Sequence, residues 1–403
     1  MSDRVKVATV ITRLTAGAGG VALRGALAVN PERFEVTVVT GGSSVTGERS
    51  DQADEVITGA GAVNEAAEAD LLAQAYEAGL PVARVGSLVP EIAPGRDRAA
   101  LRTLRRFLAE GGFDVVHTHS AKAGALGRRA AATVGIPRIV HTFHGFPFHE
   151  FQPAWRRRAY VAIERRLGRD THVFLAVGTA VAAEAIRRGI ALPERVRTIP
   201  PVVDDTVGEI GVAARGLARH RLDLPAGLRL VGTVGRIDYQ KAPEDWIDAL
   251  ASIEAEDVWG MWIGDGPMRA ELLAHARKRR VDHRLVVLGH RADVRELLPA
   301  FDVFAMASRY EGLPCALVEA VQAGVPVVAT AVNAVPDIVV PGETGLLVPP
   351  GRPDLLGRAI RHLLDAPQAG ARMAGAARDR VAGRYTADVL GPVLEDTYLG
   401  STA

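Results

Sequence analysis

The stretch VFAMASRYEGLPCALVEAVQAGVPVVAT, residues 303–330, decides how the chain is read. It opens on an apolar run at 303–307 and closes on another at 327–330. Between them lie a polar loop and an apolar segment at 317–323 that stops at Gly324. Short apolar runs suit buried strands, and the middle segment suits a helix. Strand, helix and strand joined in this way make a parallel crossover unit. Pro314 fits the first turn of that helix, where a missing N–H leaves no bond unmade.

The same alternation extends outward in both directions. Earlier strands are expected at 5–11, 35–40, 82–85, 115–119, 139–142, 173–177 and 196–199, with helices such as 99–110, 121–133, 155–167 and 180–188 between them. The pattern then breaks at Ile199-Pro-Pro-Val-Val-Asp-Asp-Thr-Val-Gly208. Paired prolines and aspartates suit a connector. Strands resume at 229–234, 259–263, 285–288, 303–307, 327–330 and 345–348, with helices at 243–253, 267–280, 294–299 and 317–323. Three helical segments close the chain from 353 to about 399. The expected fold is therefore α/β: two doubly wound, Rossmann-like domains facing a central cleft. Residues 1–203 form the first and 204–384 the second, and a helix in 385–403 crosses back to the first. Ligands of such sheets sit beyond the carboxyl ends of the strands.

Composition narrows the function. The 403 residues carry 48 Lys+Arg against 47 Asp+Glu, a net charge of +1. That balance argues against nucleic acid as a partner, since phosphate neutralisation needs excess cations. With 48% apolar and 24% charged residues the chain is globular, not disordered. One cysteine excludes an internal disulfide and Cys-rich metal sites, so the cytoplasm is the default compartment. The N-terminal apolar run is too short for a signal peptide. The most apolar stretch, 173–183, is about half of what a membrane span needs and stops at Glu184.

The loop and helix of the opening stretch carry two carboxylates, Glu311 and Glu319. The first can accept hydrogen bonds from sugar hydroxyls and the second from a ribose. Amides at the helix N-terminus suit a diphosphate. The pair, in its E-G-x-P setting of Glu311, Gly312, Leu313 and Pro314, resembles the paired-glutamate motif of retaining GT-B glycosyltransferases of family 4. Three further segments resemble that family in the right order. Gly235-Arg236-Ile-Asp-Tyr-Gln-Lys241 is similar to the segment whose Arg and Lys hold the donor diphosphate. Ile263-Gly264-Asp265-Gly266-Pro267 is similar to a G-x-G-P turn. Leu288-Gly289-His290-Arg291 is similar to the turn near the donor base.

The resemblance implies a second domain that binds a nucleotide-diphosphate sugar and a first domain that binds the acceptor. Breaking the anomeric C–O bond builds negative charge on the leaving diphosphate, and Arg236 and Lys241 would stabilise it. Ala242 departs from the family, which usually has glycine there. The connector also departs, since it lacks an Asn-Gly turn.

In the first half, five of 11 histidines fall between 117 and 149. His117 and His119, at a period of 2, share one strand face. No third metal ligand is evident, and no H-E-x-x-H occurs. His144-Gly145 resembles the family's His-Gly loop, whose histidine faces the donor sugar. The run Gly17-Ala-Gly19-Gly20-Val-Ala22 matches a dinucleotide fingerprint, but the preceding strand ends too early and no acid follows the next one. It reads better as a flexible glycine loop opening a helix, with Gly19 and Gly20 near the donor phosphate or acceptor. In the segment 152–167, Trp155, Ala159, Ala162, Ile163 and Leu167 can share one face among many arginines, and 101–108 is similar. Peripheral membrane contact through these basic helices stays open.

No D-x-D triplet occurs. The expectation is a metal-independent transferase with no cofactor, moving a hexose-type sugar. UDP is favoured as the base over GDP or ADP. The acceptor would be a sugar, a lipid-linked sugar or a small natural product. A nucleotide-sugar epimerase and a non-catalytic sugar-nucleotide module are the readings from other classes.

Overall fold

The computed structural model describes residues 4–15, 17–41, 60–203 and 211–400. Residues 204–208 of the expected connector lie outside that set. The chain divides into two compact units. The first takes most of the chain up to Val202 and resumes at Thr386, and the second takes Val203–Tyr385.

The first unit is built on seven strands: β1 Val5–Ile11, β2 Phe34–Thr40, β3 Val82–Arg84, β4 Val115–His119, β5 Arg138–Phe143, β6 Val173–Ala176 and β7 Val196–Thr198. They lie in the order β3-β2-β1-β4-β5-β6-β7, and every pairing is parallel. Successive residues of a strand point to opposite faces, so each strand feeds two cores. Val7, Ile11, Val36 and Val140 join one cluster, and Ala8, Val10, Val39 and Ile139 join another. Burial on both faces explains why these strands read as unbroken apolar runs.

The second unit has six strands: β8 Arg229–Val234, β9 Val258–Ile263, β10 Leu285–Gly289, β11 Val303–Met306, β12 Val327–Thr330 and β13 Leu346–Val348. Their order is β10-β9-β8-β11-β12-β13, again all parallel. Strand order reverses between β1 and β4 in one sheet and between β8 and β11 in the other. Loops leaving the carboxyl ends there border a crevice suited to ligands.

The Ala387–Leu399 helix belongs to the first unit. Its Leu390, Leu394 and Tyr398 are buried in the same cluster as Val7 and Ala22. It approaches the Ala18–Ala28 helix so closely that a Cβ on Gly391 would lie 2.3 Å from the Ala28 carbonyl oxygen. Only glycine fits that contact.

Two expectations need correction. Pro314 stands at the capping position, with extended backbone, and the helix begins at Cys315. Gly19 and Gly20 are buried in the first turn of the Ala18–Ala28 helix and are not loop residues. The Ala154–Gly168 helix buries Val161, Glu164 and Gly168, while Trp155 is 72% and Ile163 50% exposed. Its inward face is set by a buried ion pair between Glu164 and Arg128 at 2.7 Å. The apolar residues expected to share one face, Trp155, Ala159, Ala162 and Ile163, therefore share an outward one.

Among the described residues, no helix is long and apolar enough to cross a membrane.

Candidate functional site

The loop from β8 is shaped by Asp238. Its carboxylate accepts the Lys241 amide at 3.2 Å and the Arg236 Nε at 2.7 Å. This closes a single helical turn, Tyr239–Lys241. Ala242 then adopts a left-handed conformation, φ 51 and ψ 60, before the Pro243–Ala251 helix. That backbone favours glycine, so the departure of the sequence from its family falls on a position where glycine would be at ease.

Lys241 and Glu311 come together at the point where strand order reverses. The Lys241 Nζ lies 2.5 Å from Glu311 Oε1. Gln240 Nε2 donates to Glu311 Oε2 at 2.9 Å, and the Glu311 amide donates to Asn333 Oδ1 at 2.9 Å. The carboxylate is buried, with 5% of its side chain exposed. A charge so placed needs partners on both oxygens, and it has them.

Arg236 is 61% exposed and paired with Asp238. Glu319, on the Cys315–Gln322 helix, lies 3.6 Å from Arg295. Gly312 accepts the Ala334 amide at 3.3 Å, and Leu313 packs on the unit's core.

The loops after β8 and β9 run nearly in contact. A Cβ on Gly264 would fall 2.2 Å from the Gly235 carbonyl oxygen, and one on Gly266 2.3 Å from that of Ile237. The Ile237 amide donates to Asp265 at 2.9 Å, and Gly264 donates to Gly289 at 2.8 Å. The G-x-G pattern thus serves loop-to-loop packing. Arg291 forms a fork with Asp293 at 2.7 and 2.6 Å, and its neighbour His290 is exposed. Among the described residues no hydrogen bond or ion pair joins either to Lys241 or Glu311.

In the first unit the strand-end histidines form a chain. His119 Nδ1 and His144 Nε2 share a hydrogen bond of 2.8 Å. His117 is held between Tyr398 Oη at 2.8 Å and Thr142 Oγ1 at 2.7 Å. His141 Nδ1 meets Thr118 Oγ1 at 2.8 Å. Burial lowers the pKa of His144 to about 4 and, helped by the charge of His144, that of His117 to about 3. His119 and His141 are pushed well below the usual range, first by burial. All four are neutral at pH 7.

His119 Nε2 is buried without a hydrogen-bond partner, beside a cavity of about 10 Å3. Among the described residues no group of His, Cys, Asp and Glu is arranged to hold a metal. At the β1/β4 reversal, Thr12 Oγ1 and Ser120 Oγ share a bond of 2.8 Å, and Ser120 is held at φ 62.

Sequence reading missed Gln240, Asp238, Asn333, His119 and the Thr12–Ser120 pair as supports of these groups. Only His119 left a signal: β4 and β5 are neighbours, and each leads into a histidine at its carboxyl end.

A family model described as Glycosyl transferase 4-like domain matches residues 16–201, and one described as Glycosyl transferases group 1 matches residues 215–380. The chain belongs to the group 1 glycosyltransferases. It has the GT-B class of fold, two Rossmann-like α/β units. Among relatives of this chain is the UDP-Gal:alpha-D-GlcNAc-diphosphoundecaprenol alpha-1,3-galactosyltransferase of Escherichia coli, 30% identical over 62% of this chain and 66% of the relative. The chain thus spans slightly less than two thirds of that protein. The GDP-mannose-dependent alpha-mannosyltransferase of Mycobacterium tuberculosis is 33% identical over 74% of this chain and 75% of its own. The crystal structure of Anabaena HepE in complex with UDP and glucose aligns with a TM-score of 0.80 and 20% identity, covering 99% of this chain and 100% of HepE.

Proposed function

We propose that this protein is a metal-independent, retaining transferase that moves a hexose-type sugar from a nucleotide-diphosphate sugar to an acceptor hydroxyl. The observation that carries the reading is the Lys241–Glu311 pair at the strand reversal of the second unit, in a chain matched by both glycosyltransferase models. Glu311 would accept from sugar hydroxyls and Glu319 from the ribose. Lys241 has three donors; one is given to Glu311, and the others can meet a diphosphate. Arg236 would join it. These cations would stabilise the charge that develops on the leaving diphosphate.

The acceptor oxygen bonds to the anomeric carbon as the carbon–phosphate oxygen bond breaks, on the same face. The acceptor proton passes to the departing phosphate oxygen, so no enzymic nucleophile is needed. Neutral His144 would contact the transferred sugar.

A UDP-sugar and a lipid-linked acceptor of polysaccharide, glycolipid or envelope assembly are the favoured partners. The name of the Escherichia coli relative, with its UDP-Gal donor and diphosphoundecaprenol acceptor, supports both. Outward-facing Trp155 and Ile163 among arginines would suit contact with an anionic membrane surface.

A thermal-shift screen of UDP-, GDP- and ADP-sugars tests the donor, since binding raises apparent stability by mass action. A rise with a GDP-sugar alone would replace UDP. Interconversion of a donor sugar without acceptor would indicate an epimerase instead.

A further inference from the structure

The first unit carries a second concavity at the opposite, amino-terminal edge of its sheet. It has a volume of about 610 Å3 and lies where β5, β6 and β7 begin. Four guanidinium groups line it, those of Arg138, Arg169, Arg195 and Arg197, together with His172. Asp170 and Glu194 are the acids of the lining, so cations exceed acids by 4 − 2 = 2.

The arginines differ in how they are held. Arg197 is paired with Asp396 at 2.9 Å, and Arg138 donates to the Thr397 carbonyl. Among the described residues, neither the Arg169 nor the Arg195 guanidinium has a carboxylate partner. The cations also act on one another: burial and the nearby Arg197 pull the Arg138 guanidinium below its ordinary pKa. His172 Nδ1 accepts the Ile139 amide at 2.9 Å, which puts the imidazole proton on Nε2 as a donor.

Such a pocket has strong donors, crowded positive charge and room for a small molecule. Planar guanidinium forks match the oxygens of a phosphate group better than any other side chain. We infer that this pocket binds a small anion bearing one or two phosphate groups, at a site separate from the strand-end residues of the proposed transfer chemistry. The anion would sit among guanidiniums whose mutual repulsion it relieves. It would also meet Arg138 and Arg197, which bond to Thr397 and Asp396 in the turn that carries Tyr398 to His117. The inference needs only the first unit and does not depend on the transfer reaction.

The test uses pyrophosphate titrated calorimetrically into the full chain. Pyrophosphate also suits the Lys241 side, so the reference is the Lys241→Ala variant. That variant is expected to keep one pyrophosphate site, weakened at least tenfold by adding Arg169→Ala and Arg195→Ala. Equal affinity with and without these two changes overturns the inference, as does no binding to Lys241→Ala. If Lys241→Ala folds poorly, Arg169→Ala with Arg195→Ala on the otherwise unchanged chain should lose one of two sites, and retention of both overturns it.

A second arm separates sources of the phosphate. Sedimentation with phosphatidylcholine vesicles containing phosphatidic acid, abolished by the arginine changes, assigns a lipid headgroup. Pyrophosphate binding without such sedimentation assigns a soluble phosphate compound.

Discussion

Glu311 is a buried carboxylate whose two oxygens meet Lys241 and Gln240, so Lys241 has a structural role beside the chemical one proposed for it. Lys241→Ala should reduce kcat by about 30- to 1000-fold, the loss of one preorganised donor worth about 2–4 kcal/mol. It should also destabilise the fold by about 1–3 kcal/mol, because Glu311 is left without its cation. Lys241→Met combined with Glu311→Gln should recover most of that stability and none of the activity. Denaturant unfolding of the single and double variants decides this; equal losses in both would remove the structural role. Ala242 offers a test on the backbone. Its left-handed conformation costs a non-glycine residue about 1–2 kcal/mol, and its buried methyl returns about 0.8. Ala242→Gly should therefore lie within about 1 kcal/mol of the parent protein. Ala249→Gly, in the interior of the next helix, should lose clearly more, by about 1–2 kcal/mol. Urea midpoints that rank the two variants the other way would contradict this account.

Among the elements, the strands were legible because a parallel strand buried on both faces leaves a short, unbroken run of apolar residues between turn signals. The histidines at the ends of β4 and β5 were visible, but their bonds were not, because register lies in space and not in spacing. Asn333 and Gln240 were invisible for the same reason: each reaches Glu311 across the fold, 22 and 71 residues away. Which face of the Ala154–Gly168 helix is buried was not legible, because it is anchored by Glu164, and its partner Arg128 lies 36 positions earlier. Gly391 gives a test of element packing. Gly391→Leu should force the Ala387–Leu399 helix away from Ala28 and lower the thermal midpoint. An unchanged midpoint would mean that the contact yields freely.

The histidine chain gives a test by pH. The folded-state pKa values of His117 and His144, about 3 and about 4, lie below the ordinary imidazole value of 6.5. Below pH 6.5 the unfolded chain binds more protons than the folded one. Stability is therefore fully present above pH 6.5 and drains away as pH falls toward 4, by up to about 1.4 kcal/mol per pH unit for each such histidine. His144→Gln, which can still bond to His119 without titrating, should show a shallower slope in midpoints measured from pH 7 to about 4.5. An identical slope would exclude His144 from the effect.

For the whole molecule, the absence of any D-x-D triplet together with the cationic pair of the second unit leads to one expectation. Transfer measured in excess EDTA should equal transfer measured with Mg2+. Loss in EDTA with recovery on adding Mg2+ would show that Arg236 and Lys241 do not suffice. The return of Ala387–Leu399 to the first unit also has a consequence for synthesis. A ribosome delivers Val203–Tyr385 complete before the residues that finish the first unit's core. Domains tend to fold as they emerge. Here the unit that starts first must wait, with the surface meant for Leu390, Leu394 and Tyr398 still uncovered, until its later neighbour has been made. The bond from Tyr398 to His117 then joins a residue translated after the whole of Val203–Tyr385 to a buried histidine made before it, so the first unit's core closes only once its neighbour has been synthesised.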